Sequence, residues 1–223
     1  MKNIFSPFKK IINLEFVNKI NISDVTFSVF DTETTGLEYN KGDKILSVLG
    51  VKVKNFGIIK DDQLDEFCDP MVEIKPENEQ IHHISNRMVR GKPNIYELEE
   101  KIRAFFKRSV LVAHNVKFDC NFLISNLAHT QLESRIREAV KLDTVFFAAG
   151  VYPELETYEL SELCNQLDVS HHDKLRHSSL GDSIITARLF IHLLKKSKVK
   201  NVKEILNISK LGQKVLLNKT INR

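Results

Sequence analysis

Three groups of acidic side chains fall where the sequence predicts the end of a strand or the start of a helix. The groups are Asp31 with Glu33, Asp119 after His114, and Asp182 five residues after His177. Each group alone has an ordinary structural explanation, because acids at strand ends form turns and acids at helix starts interact favourably with the helix dipole. Three such groups in one chain favour a chemical role, since side chains from distant segments can converge at such positions.

Asp31 and Glu33 are two residues apart, so in extended backbone their side chains point to one side. Four carboxylates at one site would repel one another unless divalent cations lay between them. Oxygen ligands suit Mg²⁺ or Mn²⁺, and two such ions about 4 Å apart can activate a water and stabilise the leaving oxygen of a phosphodiester. A histidine that titrates near neutrality would take the proton from that water. The predicted site therefore comprises two Mg²⁺ or Mn²⁺ ions, the metal ligands Asp31, Glu33, Asp119 and Asp182, and the catalytic base His177.

The elements around these residues predict an α/β fold with a mixed five-stranded sheet flanked by helices. Strands are predicted over 25–30, 44–54, 55–67, 110–113 and 140–142, and helices over 93–106, 117–127, 158–167 and 181–196. The segment 31–36 is predicted to be a turn that stops the first strand. The two following strands are expected to form an antiparallel meander, and strand 110–113 reads as buried and parallel.

The charge of the chain is unevenly distributed. The net charge is +4, but residues 195–223 carry +8 and the remainder carries −4. We predict one domain over 25–196, an amphipathic N-terminal extension over 1–24 and a basic helical tail over 197–223. The tail is expected to pack one apolar face on the body, or to use its lysines to hold phosphates near the active site.

Composition excludes several classes of protein. With 42% hydrophobic and 28% charged residues, the chain is globular rather than disordered or fibrous. No apolar run approaches the roughly 20 residues of a membrane span, so we expect no membrane partner. The three cysteines, odd in number and far apart, do not form a disulfide or zinc-ribbon pattern and favour a reducing compartment. These features predict a cytoplasmic protein.

Three segments resemble, in order and spacing, the motifs of the DEDDh (DnaQ-like) exonuclease superfamily, and most closely its epsilon proofreading type from bacterial DNA polymerase III. They are Asp31-Thr-Glu-Thr-Thr-Gly36, His114-Asn-Val-Lys-Phe-Asp119 and His177-Ser-Ser-Leu-Gly-Asp182. The resemblance implies a ribonuclease-H-like fold and a 3′-to-5′ exonuclease acting on DNA 3′ ends with release of nucleoside 5′-monophosphates. It also implies the same four metal ligands and His177 as general base.

The resemblance further implies a pocket for the 3′-terminal nucleotide. Its candidate residues are Thr34, Thr35, Gly36, Leu37, Ile81, His82, Asn115 and Phe118. The family often has glycine where this chain has His83, and we expect the added bulk to narrow or reshape this pocket. In the tail, the segment from Gln213 to Leu217 loosely resembles a sliding-clamp-binding peptide, which raises a clamp or a DNA polymerase as a partner.

Two alternatives stay open. The same motifs occur in RNA-trimming members of the superfamily, and discrimination of the 2′-hydroxyl is not encoded in any recognisable pattern. The chain would otherwise be a catalytically silent nucleic-acid-binding or polymerase-docking module. The intact set of four acids with a histidine argues against the silent module, because clustered negative charge does not help a protein that only binds phosphates.

Overall fold

A mixed five-stranded sheet forms the centre of the molecule. The computed structural model describes residues 15, 19–171 and 181–221. The strands are β1 (Phe27–Thr34), β2 (Ile45–Lys54), β3 (Gly57–Phe67), β4 (Val110–Ala113) and β5 (Lys141–Asp143), in the order β3-β2-β1-β4-β5. The pairs β1–β2 and β2–β3 are antiparallel, while β4 and β5 run parallel to β1. The predicted meander, the parallel β4 and the predicted fold class are confirmed.

Helices cover both faces of this sheet. They are α1 (Pro76–His82), α2 (Asn86–Val89), α3 (Glu99–Phe105), α4 (Val116–Asn126), α5 (Gln131–Glu138), α6 (Thr144–Val151), α7 (Leu160–Gln166), α8 (Gly181–Ser197) and α9 (Val202–Ile221). The predicted helices over 117–127, 158–167 and 181–196 correspond to α4, α7 and α8. The sequence analysis missed α1, α2, α5 and α6, which have four to eight residues each and therefore show too few turns for a clear period.

Side chains of β1 alternate between two cores. Phe27 packs edge to face on Phe190 of α8, with ring centroids 4.9 Å apart, within the core that contains α6 and α8. Phe30 points to the other face and contacts Phe106 at 4.9 Å, within the core that contains α3, α4 and α5. Because side chains of a strand alternate with a period of two, β1 reaches both helical layers. Side chains further along β1 continue to alternate between the same two faces of the sheet.

The predicted turn at 31–36 is wrong in its first part, because β1 continues to Thr34. Asp31 and Glu33 pair with Leu49 and Ser47 of β2, and the register shifts only between Glu33 and Thr34. Turn preferences of Asp and Thr are weak priors that strand pairing overrides when a long partner strand supplies the hydrogen bonds. The acidic pair therefore lies within a strand.

The helix predicted from Pro93 begins later, at Glu99. The Asn94 side chain accepts hydrogen bonds from the backbone N–H groups of Tyr96 and Glu97, at 2.9 and 3.2 Å. Such local bonds offer the backbone an alternative to helix. Turns thus occupy residues 95–98, and only the second half of the predicted helix forms.

The C-terminal helix α9 packs on α6, as predicted for the tail. Their contact is close at Gly150 and Gly212, where a methyl group on Gly212 would collide with the carbonyl oxygen of Phe146. Val202 and Ile205 of α9 are buried in the core that contains α6 and α8. At the other end of the chain, residues 1–14 and 16–18 of the predicted N-terminal extension lie outside the described residues. Within the described part, no helix combines the length and the apolar character that crossing a membrane would require.

Candidate active site

Three carboxylates meet beside the C-terminal end of β1. One ligand atom each from Asp31, Glu33 and Asp182 lies within 4.8 Å of the others. Asp31 and Glu33 are half-buried and Asp182 is buried. The prediction that Asp31 and Glu33 point to one side is confirmed, and they share the face of β1 that packs on α8.

A hydrogen bond between α8 and β2 explains why Asp182 lies next to β1. The hydroxyl of the next residue, Ser183, donates a hydrogen bond of 2.9 Å to the carbonyl oxygen of Leu49. Leu49 is the register partner of Asp31. This buried bond anchors the first turn of α8 opposite Asp31, so a residue 151 positions later in the sequence lies next to it.

Asp119 approaches β1 from the opposite side, in the first turn of α4. Its Oδ1 accepts hydrogen bonds from the Thr32 backbone N–H at 2.9 Å and the Thr32 hydroxyl at 2.8 Å. β4 pairs only with residues 27–29 of β1, so Asp119 satisfies an N–H group beyond the end of that ladder. Burial raises the pKa of Asp119 to about 7, against the lowering effect of the Thr32 hydrogen bonds. Asp119 is not in the group of three, and its role as fourth metal ligand stays a prediction.

Asp143 supports this arrangement and was not recognised from the sequence. It ends β5, caps α6 by accepting from the Val145 N–H at 2.9 Å, and accepts from the N–H groups of Asn115 and Val116 at 3.2 and 3.1 Å. Burial raises the pKa of the Asp143 carboxyl, while these backbone hydrogen bonds lower it. One carboxylate thus fixes the turn before α4, and an aspartate directly after an apolar strand was the available signal.

A cleft of about 300 Å³ lies beside the three carboxylates. Six of the eight predicted substrate-binding residues line it: Thr34, Gly36, Leu37, Ile81, His82 and Phe118. Leu37 and Ile81 are 78% and 57% exposed, so their apolar side chains are accessible to a ligand. The structure therefore brings motif residues from β1, α1 and α4 to one concave surface.

The loop after β1 explains why Gly36 is required and where Thr35 points. A Cβ on Gly36 would collide with the Asp43 carboxylate. The Thr35 hydroxyl donates to Asp43 Oδ1 at 3.4 Å and accepts from the Lys44 N–H at 2.9 Å. Thr35 is buried and shapes the loop, whereas the cleft lining comes from its neighbours.

Asn115 also contributes through the backbone. It lies in the left-handed region with φ 73° directly before α4, a conformation that asparagine tolerates better than most residues. Asn115 is absent from the cleft lining described above, so its function as a substrate contact stays a prediction.

His83 does not narrow the pocket, contrary to expectation. It is exposed, lies outside the cleft lining and adopts φ 58° at the C-terminal end of α1. Glycine is favoured at that position because it adopts positive φ without strain. In this chain, therefore, a histidine occupies the helix-ending position at which the family often has glycine. The neighbouring His82 is buried, and its Nδ1 accepts from the Ile84 N–H at 3.0 Å.

Five further residues line the cleft: Thr32, Asn78, His114, Glu159 and Leu160. Asn78 donates to the Thr35 carbonyl oxygen and so joins α1 to the loop after β1. His114 Nδ1 and the Thr144 hydroxyl lie 2.8 Å apart. His114 lies within the second motif, but no sequence pattern pointed to Asn78 or Glu159. His177 lies outside the described residues.

The donor set fits a hard divalent cation. The three side chains of the group present only carboxylate oxygens, which Mg²⁺ and Mn²⁺ prefer over the nitrogen and sulfur ligands typical of Zn²⁺. Without a cation, three carboxylates this close would repel one another. The lining residues from β1, α1 and α4 leave the group open to the cleft, so a ligand in the cleft would meet any ion held there.

A mixed sheet whose central strand ends in gathered carboxylates, with helices on both faces, defines the ribonuclease-H-like class of folds. The exonuclease family model (RNase_T) matches residues 28–190. The chain belongs to this exonuclease family, and the predicted resemblance to DnaQ-like exonucleases is confirmed.

Individual relatives agree with this assignment. The chain is 33% identical over 181 residues to a DNA polymerase III subunit epsilon-like protein of Rhodobacter capsulatus, covering 81% of this chain and 25% of that protein. It is 34% identical over 195 residues to a PolC-type DNA polymerase III of Clostridium perfringens, covering 87% of this chain and 13% of the polymerase. The chain therefore spans a quarter or less of these relatives.

Solved structures show the same fold. Exonuclease X in complex with 5′ overhanging duplex DNA superposes with a TM-score of 0.65 at 23% identity, covering 82% of this chain and 99% of that one. Exonuclease I gives a TM-score of 0.62 at 17% identity, covering 82% of this chain and 43% of that one. At these identities the similarity concerns the fold.

Proposed function

We propose that the chain is a metal-dependent 3′-to-5′ exonuclease that hydrolyses phosphodiester bonds at the 3′ end of single-stranded DNA and releases nucleoside 5′-monophosphates. The observation that carries this proposal is the convergence of Asp31, Glu33 and Asp182 within 4.8 Å beside a cleft with apolar walls. The family assignment supports the reaction class. Relatives named as DNA polymerase III subunits, and a neighbour solved with DNA, support DNA as substrate.

The carboxylates would hold two Mg²⁺ or Mn²⁺ ions, with Asp119 as the fourth ligand. Bound cations would supply positive charge to the scissile phosphate and lower the pKa of the attacking water. The protein residues orient the substrate around that centre. Leu37 and Ile81 offer apolar contacts to the terminal base, and Phe118 offers an aromatic face.

His177 would act as the general base. A histidine has an ordinary pKa near neutrality, so its neutral form can accept a proton from water at physiological pH. The proposal for His177 depends on the motif spacing of five residues to Asp182.

Labelled strands test the reaction and its polarity. A 3′-labelled DNA strand should release its label at once as a mononucleotide, whereas a 5′-labelled strand should shorten one nucleotide at a time. Both reactions should stop with EDTA and resume with Mg²⁺ or Mn²⁺. An RNA strand of the same sequence is the control for substrate class, and faster trimming of RNA would replace DNA as the proposed substrate. Intact strands with saturating metal would favour a silent binding module.

We further propose that the chain works in the cytoplasm, alone or with a DNA polymerase. The relatives' names support a polymerase partner. Among the described residues the cleft lining contains none from α9, and the proposal that the tail lysines hold phosphates near the active site stays a prediction. Gln213 is exposed on α9, so a clamp contact there would involve a helix. Co-elution of the chain with a replicative polymerase in size-exclusion chromatography tests this partner.

A further inference from the structure

An aromatic strip leads out of the cleft along α4. Phe118, which lines the cleft, packs on Phe122 with ring centroids 4.8 Å apart. Phe122 in turn meets the ring of Tyr39 edge to face, with centroids 6.0 Å apart. Phe122 is fully buried, whereas Tyr39 is 39% exposed. The strip therefore reaches the surface twice, at Phe118 inside the cleft and at Tyr39 in the loop between β1 and β2.

Asp43 holds the loop that carries Tyr39 in a defined shape. Its carboxylate accepts from the Glu38 N–H at 2.8 Å and from the Thr35 hydroxyl at 3.4 Å. Its carbonyl oxygen accepts from the Asn126 side chain at 3.3 Å. Because Asn126 is the last residue of α4, the loop is tied to the helix that carries the other two rings. The position of Tyr39 relative to the cleft is thus built into the fold.

The hydroxyl of Tyr39 does not explain why a tyrosine is exposed here. Within the described part of the chain it forms no hydrogen bond, and the ring makes its aromatic contact through Phe122. One part of the ring covers the core, and the remainder is accessible. An exposed ring near a nucleic-acid cleft suits base stacking, since every base has a π-face and stacking tolerates any sequence.

The spacing of the strip fits consecutive bases of one strand. The separation of the Phe118 and Tyr39 rings cannot exceed the sum of the two centroid distances, 4.8 and 6.0 Å. Successive stacked bases are about 3.4 Å apart along a strand, so two or three bases cover this distance. A strand whose terminal nucleotide lies against Phe118 would bring one of its next bases to Tyr39.

We propose that Tyr39, which lies outside the cleft lining itself, is a second stacking position that binds one of the three bases preceding the 3′-terminal nucleotide of a single strand. This inference rests on the proposed exonuclease function. Tyr39 is a positioning residue, because it lies outside the lining that contains the three carboxylates and would contact a part of the substrate that does not react. Its contribution should therefore appear in substrate binding for strands and be absent for a substrate of one nucleotide.

Two substrates separate this function from the chemistry. The p-nitrophenyl ester of thymidine 5′-monophosphate occupies only the terminal position, whereas a short poly(dT) strand also reaches Tyr39. Tyr39→Leu keeps an apolar cover on Phe122 but removes the ring, and Tyr39→Phe keeps the ring. Tyr96→Leu is the matched control, since Tyr96 is also exposed but, among the described residues, makes no aromatic contact with Phe118 or Phe122.

We expect Tyr39→Leu to raise KM for the strand by about fivefold or more, the loss of one stacked base, with kcat nearly unchanged. Hydrolysis of the ester should remain at the wild-type rate, and Tyr39→Phe and Tyr96→Leu should resemble the wild type on both substrates. An unchanged KM for the strand, or equal losses on strand and ester, would overturn the proposal.

A binding measurement keeps this test independent of the proposed function. Fluorescence anisotropy of a 5′-labelled poly(dT) strand, measured with Asp182→Asn and Mg²⁺, should show about fivefold or more weaker binding when Tyr39→Leu is added. If the wild-type chain hydrolyses neither substrate, the exonuclease proposal fails while the anisotropy still decides the role of Tyr39. Equal affinity of the single and double variants would exclude the stacking position.

Discussion

The β1–β2 strand pair carries buried charge at two places, and the two are built in opposite ways. Lys52 is 3% exposed and pairs in register with Ser28. Its ammonium group donates to the hydroxyls of Ser28 at 2.8 Å and Ser109 at 3.3 Å and to the Phe105 carbonyl oxygen. It also lies 4.6 Å from the centre of the Phe105 ring. Within the described part of the chain, the hydrogen bonds and the ring contact of this cation all go to acceptors or to a π-face.

Further along the same pair, Asp31 and Glu33 meet Asp182, which carries the same charge. A buried charge surrounded by opposite partial charges is a structural element, because the protein itself compensates part of its loss of water. Gathered like charges are not compensated by one another and raise the free energy of the fold unless something else binds. Of these two ionic groups, the carboxylate group is therefore the one that is built to bind a ligand.

The largest effect is expected from removing one charge of the carboxylate group. Asp31→Asn should lower the exonuclease rate by about 1,000-fold, since metal ions stabilise several kcal/mol of transition-state charge. In metal-free buffer the same variant should unfold at no lower urea concentration than the wild type, because a repulsion is relieved. Product release from labelled strands and urea unfolding measure the two results. Asp61→Asn, an exposed acid on β3 outside the cleft, is the control and should retain activity.

Removal of the Lys52 side chain should have the reverse effects, a loss of stability without a loss of catalytic rate. Lys52→Ala should lower the free energy of unfolding by about 3 kcal/mol, because it leaves a cavity and removes a donor from buried acceptors. Its catalytic rate per folded molecule should not change. Lys54→Ala on the same strand is the matched control, since Lys54 is exposed. A stable Lys52→Ala variant with lost activity would contradict the structural assignment of this lysine.

The contrast also shows what the sequence could predict. The carboxylates were recognisable because Asp31, Glu33 and Asp182 belong to short segments with specific spacing. The continuation of β1 to Thr34 was not recognisable from the sequence, because strand pairing with β2 overrides local turn preference. Lys52 could not be identified either, since a lysine in a strand is ordinarily exposed and its acceptors come from Ser28 and Phe105, 24 and 53 residues away.

A smaller effect is expected from pH, which should change the free energy of unfolding through Lys52. Burial lowers the pKa of Lys52 to about 8, although Asp62 raises it, from an ordinary value of 10.5. Between pH 8 and 10.5 the unfolded chain binds more protons at this group than the folded chain, so the folded state gains stability as pH rises. From pH 7 to 10 the free energy of unfolding should increase by about 2 kcal/mol relative to Lys52→Met.

Urea unfolding of the wild type and Lys52→Met at pH 7, 8, 9 and 10 measures this difference. Methionine keeps the aliphatic stem without the charge, so titration of other groups cancels in the comparison. Parallel stability curves for the two proteins would mean that the lysine keeps its ordinary pKa despite its burial.

The smallest expected effect is the increase in the free energy of unfolding when Mg²⁺ is added. It tests directly whether the carboxylate group, and not the region of Lys52, binds an ion. An ion that binds only the folded state at ten times its Kd adds about 1.4 kcal/mol to the free energy of unfolding. The wild type and Lys52→Met should both gain this amount, because Lys52 lies apart from the carboxylate group, whereas Asp31→Asn should gain much less. Thermal unfolding with and without Mg²⁺ measures the gain, and NaCl of equal ionic strength controls for screening. Equal gains in all three proteins would place the ion elsewhere and leave the repulsion among Asp31, Glu33 and Asp182 without a function.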